Sequence, residues 1–375
     1  MNDDLPSSDP AHMKLSHPER CKIMMADSID AIQSVVGERE WKAWQEGLKD
    51  VSRSVTDVIG ELSNPRKYPR SSEYLVMMSL DASSTDQGGA MGLLAWMRHH
   101  YAATPHVLID DSLVELLNFT DLTPEIPLAF LTPPFPSFYM EFGKLRNNPI
   151  VVPNAESGDH VLEGAYIEIG SHEVDGEVLN VVLIGSPIGK AHIADDATLS
   201  VTMPLDSVDM PLVDAIHRSF SEVQSDNDAS ALAANWIKSP KYFQDRSVDA
   251  LLMVAKAMLY MSLSESRQEL YAMHSEALEA LVRLKSPAKK AKAERKAARL
   301  IDYILVRAHP DHKMDGGEYG TAAGRSVKTH WRRGHLRTQR HGSLRALSKI
   351  ILIKPVLVAA APGEEPPPPS NYKVT

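Results

Sequence analysis

Apolar positions near the start of the chain recur at helical spacing. Seven of them alternate steps of three and four residues: Trp41, Trp44, Leu48, Val51, Val55, Val58 and Leu62. This seam predicts one helix packed lengthwise on a partner, either the preceding segment 23–36 or another subunit. Asn64-Pro65 predicts its end. Residues 1–17 are polar without periodicity, so we expect them to be disordered and the first ordered element to begin near Pro18.

The next hundred residues predict both strands and helices. The apolar run 73–80 is typical of a buried strand, and residues 88–100 of a helix. Residues 106–119 are expected to form a strand that runs into a helix, with Asp110 and Asp111 at the junction. Two adjacent carboxylates can bind a metal, but helix capping is the commoner reason for Asp at such a position.

Alternation dominates the middle of the chain. Residues 138–142 alternate as a half-buried strand. Within 161–184, two apolar runs flank Asp175-Gly176, a pair that favours a hairpin because both residues tolerate positive φ. Residues 198–205 predict a further strand. Helices are then expected at 210–223, 228–238, 246–263 and 264–284. Residues 18–284 are thus predicted to be an α+β body, with a mostly antiparallel sheet flanked by several helices.

The composition changes at Ser286-Pro287, where a cap residue and a proline predict a new helix. This basic helix is expected over 285–308, and a basic module over 309–358. The module is predicted to be a ribbon or extended loop, with Gly334 between its two polar arms, followed by a terminal strand. Residues 359–375 are rich in proline and are expected to be a disordered tail.

Composition excludes several classes of protein. The 375 residues are 43% hydrophobic, enough for a sizeable core, but no apolar run approaches a membrane span and the acidic N-terminus is unlike a signal peptide. We therefore expect a cytoplasmic protein without a membrane partner. Cys21 is the only cysteine, which excludes intramolecular disulfides and cysteine-clustered zinc sites and is typical of a small core residue.

Charge is distributed unevenly along the chain, whose formal net charge is −9. Residues 281–354 carry nineteen Lys/Arg against five Asp/Glu, a net of +14, whereas residues 1–280 carry a net of −22. A dense basic segment on an acidic body favours a polyanionic partner. Docking of the basic segment on the body, or a protein partner, is the alternative interpretation.

The basic segment supplies the candidate nucleic-acid contacts. They are Lys289, Lys292, Lys296 and Arg299 on one helix face, then Arg325, Trp331, Arg332, Arg333, His335, Arg337, Arg340 and Arg345. Guanidinium groups suit phosphates, and an indole offers a stacking surface for an unpaired base. This combination favours RNA or single strands over duplex grooves.

Three histidines in the same segment leave the chemistry open. His330, His335 and His341 lack the acidic neighbours and spacing of metal sites, so neither a metal nor a cofactor is predicted. As an acid–base pair, His335 with His330 or His341 would cleave RNA at neutral pH. Hydrogen bonding to phosphate or backbone is the third interpretation and the one we favour.

Four segments in a fixed order resemble a known family: "FPSFYMEF" (135–142), "LLMVAKAMLYMSLS" (251–264), "LKSPAKKAKAERKAARL" (284–300) and "GRSVKTHWRRGHLRTQRHGSLRALSKIILIKPVLV" (324–358). The order is similar to that of the second type V-A anti-CRISPR inhibitor family and its relatives in phages and mobile elements. The residues that match its C-terminal motif are Gly324, Arg325, His330, Arg332, Gly334, His335, Arg337, Gln339 and Pro355. Leu336 stands where an aromatic residue is expected, and Lys354-Pro355-Val356 replaces a more acidic and aromatic ending.

The resemblance implies a regulator in the cytoplasm of a bacterial host. Its relatives recognise the N-terminal part of a CRISPR nuclease during translation and deplete the nuclease mRNA. For this chain, that implies a body that binds the nuclease polypeptide and a basic C-terminus that binds RNA or the ribosome. A metal-independent ribonuclease and a plain nucleic-acid-binding protein are the alternatives. The sequence does not indicate an oligomeric state.

Overall fold

The structure is a computed structural model and describes residues 15–82, 87–143, 150–154, 158–172, 176–186, 196–221, 240–297, 300–312 and 330–358. The helices are α1 (His17–Met24), α2 (Ala26–Val36), α3 (Glu38–Lys49), α4 (Val55–Leu62), α5 (Pro69–Ala82), α6 (Gln87–Ala102), α7 (Asp111–Asn118), α8 (Leu212–Ser221), α9 (Pro240–Met261), α10 (Met273–Val282) and α11 (Pro287–Ala297). The strands are β1 (His106–Ile109), β2 (Thr120–Leu122), β3 (Ser137–Glu141), β4 (Val151–Asn154), β5 (Gly158–His172), β6 (Gly176–Ser186), β7 (Ala197–Pro204), β8 (Arg267–Tyr271), β9 (Tyr303–Arg307), β10 (His330–Arg332), β11 (Gly334–His341), β12 (Leu347–Ile353) and β13 (Val356–Val358).

The main sheet has eight strands and is mostly antiparallel, which confirms the predicted α+β class. Its order is β7-β6-β5-β3-β1-β9-β8, and β4 pairs with β5. Strand β1 lies parallel to both β3 and β9, and the other pairs are antiparallel. The chain therefore returns to the centre of this sheet from its basic C-terminal third, because β9 lies beside β1.

Both faces of the main sheet are covered. One core joins α1 to α6 to the sheet and includes Trp41, Trp44, Trp96 and Tyr139. The other core packs α7, α8 and α9 on the opposite face and includes Leu336 and Ile350 from near the C-terminus. Within the described ranges, no helix has the length and apolar character to cross a membrane.

Two smaller sheets complete the fold. Strand β11 pairs antiparallel with β12 and parallel with β2, in the order β12-β11-β2. Strand β10 pairs with β13. The two arms on either side of Gly334, predicted to form a ribbon, do not pair with each other, and Pro355 divides the predicted terminal strand into β12 and β13.

The strand predicted over 73–80 was wrong, because these residues belong to α5. Leu75 is buried, whereas Val76 and Met77 are 53% and 48% exposed. A continuous apolar run fits a buried strand and a half-buried helix equally well, and Pro69 at the first position favours the helix.

The single helix predicted over 41–62 is two helices, α3 and α4. The Asp50 side chain accepts a hydrogen bond from the Ser52 backbone N–H at 3.1 Å, and Ser54 caps α4 by accepting one from the Asp57 N–H at 3.0 Å. These local polar contacts stabilise a break within the apolar seam. Trp44 and Val58 nevertheless lie in one core, as the seam predicted.

Two helix predictions near the basic segment were also wrong in part. Within 264–284, residues 267–271 form β8 and only 273–282 form a helix. Within 285–308, the helix ends at Ala297 and residues 303–307 form β9. The spacing of apolar residues over 300–305 suits a helix, but residues 303–307 pair with β1 as a strand of the main sheet. Tertiary pairing therefore overrides the local pattern.

Several other predictions are confirmed. The hairpin of β5 and β6 surrounds the predicted turn, where Gly176 has φ +70°, while Asp175 lies outside the described residues. Strand β3 is present but is buried on both faces rather than half-buried, since it lies inside a sheet covered by helices. Cys21 is a core residue, 4% exposed, as predicted. The helix predicted at 228–238, residues 1–14 and the tail 359–375 lie outside the described residues, and α1 already begins at His17.

Buried ion pairs attach α1 to the main sheet. Both terminal nitrogens of Arg20 donate to the Glu163 carboxylate at 2.7 Å, and one also donates to Asp196 at 2.9 Å. The side chains of Arg20 and Glu163 are each 1% exposed. Burial opposes the charge of Arg20, but hydrogen bonds and proximity to the two carboxylates raise its pKa above the ordinary value.

Candidate nucleic-acid interface

The β11–β12 hairpin carries most of the predicted contacts that the structure describes. Its register pairs His335 with Ile353, Arg337 with Ile351, Gln339 with Lys349 and His341 with Leu347. Leu336 is fully buried and Ile350 is 8% exposed, both in the core around α9. The hairpin is therefore anchored to the body rather than suspended from it.

Directly opposed residues of an antiparallel pair project to the same face, so the register defines two faces. We call one the outer face; it consists of His335, Arg337, Gln339, His341, Leu347, Lys349, Ile351 and Ile353. Arg337, Gln339 and Lys349 are exposed, and the two histidines are half-buried. This face presents two permanent cations and two imidazoles to solvent.

The inner face of the hairpin carries Leu336, Thr338 and Arg340 opposite Leu352, Ile350 and Ser348. It packs on the body at the Leu336 end. Arg340 is exposed at the far end of this face. Two arginines that the sequence places in one basic stretch, Arg337 and Arg340, therefore project in opposite directions.

Arg333 is held by the body. Its Nε donates to both oxygens of Asp121 at 2.9 and 2.8 Å, and one terminal nitrogen donates to the Asn118 carbonyl at 2.9 Å. The guanidinium group stabilises the C-terminal end of α7, because a cation interacts favourably with the free carbonyl groups of a helix C-terminus. Arg333 thus anchors the start of β11, while its neighbour Arg332 is exposed on β10.

The remaining predicted contacts fall into two groups. Lys289 and Lys292 are exposed on α11, and Arg345 is exposed at the hairpin tip, where its φ is +56°. Arg299 and Arg325 lie outside the described residues, as do the side chains of Lys296, His330 and Trp331. Their role in binding nucleic acid stays a prediction.

Of the two acid–base pairs considered from the sequence, the structure tests that of His335 with His341, because the side chain of His330 lies outside the described residues. His335 and His341 lie six positions apart on β11, about 20 Å at the rise of an extended strand. Two side chains so separated cannot both reach one ribose, which excludes the acid–base pair of His335 with His341. Within the described part of the chain, no group of three His, Cys, Asp or Glu residues could hold a metal ion. Asp110 caps α7 as predicted, accepting a hydrogen bond from Ser112 N–H at 3.0 Å.

Two lysines near this interface were missed. Lys349 could have been found as the single charged residue in the otherwise mostly apolar run 347–353. Lys256 has no local signal: it is buried on α9 and donates to the carbonyls of Leu117 and Thr120 at 2.7 and 3.0 Å. Burial, together with the nearby positive charge of Arg333, lowers its pKa to about 8.

Stability should therefore rise with pH in a defined window. Between pH 8 and pH 10.5 the unfolded chain keeps the Lys256 proton that the folded protein has lost, so the free energy of unfolding increases with pH. The gain is at most about 3 kcal/mol. In urea denaturation, the change in free energy of unfolding from pH 8 to pH 10.5 should be more positive in the wild type and in Lys290→Met, which changes an exposed lysine, than in Lys256→Met. An identical pH dependence in Lys256→Met would contradict the assignment.

Comparison with known proteins identifies a family. The model of a family described as AcrVA2-like, the anti-CRISPR type V subtype A2 family, matches residues 108–360, about two thirds of the chain. A solved crystal structure of AcrVA2 is similar over 92% of this chain and 100% of that chain, with 12% sequence identity and a TM-score of 0.41. A search of curated proteins found no match.

Proposed function

Because this chain belongs to the AcrVA2-like family of type V subtype A2 anti-CRISPR proteins, we propose that it lowers the mRNA of a CRISPR nuclease inside a bacterial host. In this proposal the acidic body recognises the nascent nuclease polypeptide, and the basic C-terminal part binds RNA or the ribosome. The body then selects the target, and the basic part brings the protein to the message being translated.

The observation that supports RNA binding is the outer face of the hairpin. Arg337 and Lys349 are exposed there, on adjacent strands that the buried residues Leu336 and Ile350 fix in place. Cations on a rigid surface neutralise phosphates at low entropic cost, because the backbone that carries them is already ordered. The exposed lysines of α11 add charge to the same third of the sequence.

The ribonuclease alternative has less support. It needs an acid and a base within reach of one ribose, and His335 and His341 lie too far apart on their strand to act as that pair. The pairing of His335 with His330 stays a prediction. A plain nucleic-acid-binding protein would use the same outer face without a nuclease target. That alternative differs from our proposal only in what happens to a nuclease transcript in cells.

RNA binding has a sharp test, because β11 carries two exposed arginines on opposite faces. In fluorescence anisotropy with single-stranded RNA, Arg337→Gln should weaken binding at least fivefold, the effect of losing about 1 kcal/mol. The same variant should reduce the slope of log affinity against log salt by about 0.7, one phosphate contact. Arg340→Gln removes an equal charge from the inner face and should change affinity less than about twofold, within the range of surface substitutions.

Two results would contradict the assignment of the outer face. If the full chain binds RNA and both variants lose the same affinity, binding depends on net charge rather than on this face. If the full chain shows no salt-dependent RNA binding, the basic part does not contact RNA.

A further inference from the structure

Strand β12 has a free edge. It is the last strand of the sheet β12-β11-β2, and in the part of the chain that is described no strand pairs with its other side. Seven residues, Leu347–Ile353, present this edge. A free edge offers backbone N–H and C=O groups to another strand.

This edge is weakly protected against pairing. Proteins usually place several charges, a proline or a bulge on an exposed edge strand. Within its seven residues β12 has one charge, Lys349, and the apolar side chains at both ends are exposed, Leu347 by 58% and Ile353 by 38%. Apolar surface on an unpaired edge is typical of a strand that is covered in the functional assembly.

We propose that β12 pairs antiparallel with β12 of a second copy of this chain, about a two-fold axis that places Ile350 of one copy opposite Ile350 of the other. In this register all seven residues of each strand are paired. Leu347 lies opposite Ile353 of the second copy, Ser348 opposite Leu352, and Lys349 opposite Ile351. The two exposed apolar ends cover each other on the outer face, as an isologous interface requires.

The sequence of the strand favours this register over its neighbours. Residues that oppose each other must project to the same face, so the central residue of the pairing must lie opposite its own copy. We call this arrangement an axis through that residue. An axis through Lys349 would place the two ammonium groups directly opposite each other, which is destabilising. An axis through Ile351 would leave Leu347 opposite Pro355, which cannot donate a backbone hydrogen bond. Only the axis through Ile350 pairs the whole strand without such a conflict.

Pairing would join the two hairpins into one continuous sheet of six strands. The outer faces of both copies would lie on the same side of that sheet, since a two-fold axis perpendicular to a sheet preserves its faces. Arg337 and Lys349 would then occur twice on one surface. This dimer does not depend on RNA binding, and it can be tested without RNA.

Sedimentation velocity of the full chain tests the proposal, and the wild type should sediment as a dimer. Leu347→Lys with Ile353→Lys places like charges opposite each other at both ends and should raise the dimer dissociation constant at least tenfold. Leu347→Glu with Ile353→Lys removes the same apolar side chains but places opposite charges in register, and it should restore the dimer.

A wild type that sediments as a monomer at all concentrations overturns the proposal, as does a dimer that both double variants weaken equally. The second case would mean that another surface, or another register, holds the two copies. The Glu/Lys variant also controls for folding, because it carries the same number of substitutions at the same positions.

Discussion

Replacing Arg20 with methionine is expected to lower the free energy of unfolding by about 3–5 kcal/mol, the cost of leaving a buried charge without its partner. Arg20 is the cation that faces both Glu163 and Asp196, whose side chains are 1% and 3% exposed. Without the guanidinium group, the two buried carboxylates lose the cation that contacts both of them. The variant should therefore be among the most destabilising single changes in the protein.

The chain offers a matched control for this experiment. Arg53 forms an ion pair with Glu61 at 2.8 Å, but these side chains are 37% and 33% exposed. Exposed pairs contribute at most about 1 kcal/mol, so Arg53→Met should have a small effect. Urea denaturation near neutral pH compares the two variants directly. A cost for Arg20→Met no larger than that for Arg53→Met would show that the buried pairs do not stabilise the attachment of α1.

Local signals accounted for much of the fold. The hairpin of β5 and β6, the Asp110 cap and helix α6 each depend on residues close together in sequence, so the pattern predicted them. The break between α3 and α4 is also local, but the apolar seam that crosses it hid the polar contacts of Asp50 and Ser54. The apolar seam favoured one continuous helix, whereas the polar contacts favoured a break. The polar contacts determined the backbone, although they were less evident in the sequence.

Pairing over long distances accounts for what the sequence could not predict. Residues 303–307 become β9 because β1, about two hundred residues earlier, needs a neighbour in the centre of the sheet. The contacts of Arg20 with Glu163 and of Arg333 with Asp121 likewise join residues 143 and 212 positions apart. No pattern within a window of the sequence contains such information.

The candidate interface was predicted as a composition but not as a surface. The count of cations selected the part of the chain that carries the candidate contacts. The family resemblance is confirmed by the match over residues 108–360. Which cations share a face depends on the register of β11 with β12 and β2. That register separates Arg337 from Arg340 and assigns Arg333 to the body, so the set of candidate contacts becomes smaller and can be tested residue by residue.

The largest functional effect is expected in cells. If the protein acts on the message of a nuclease during translation, its co-expression with a type V nuclease should lower both the mRNA and the protein of that nuclease several-fold. Purified nuclease should keep its activity in the presence of the purified protein, because the effect requires translation. The outer face of the hairpin should be needed, since Arg337 and Lys349 supply its permanent cations.

The most direct test measures the nuclease transcript across a panel of type V nucleases, each co-expressed with the wild type, with Arg337→Gln combined with Lys349→Gln, or with Arg340→Gln. We expect the transcript of at least one nuclease to fall with the wild type and with Arg340→Gln, and to stay at its uninhibited level with the double variant at equal protein abundance. Transcript levels that the wild type leaves unchanged in every case, or that the double variant lowers as strongly as the wild type, would contradict the proposed function.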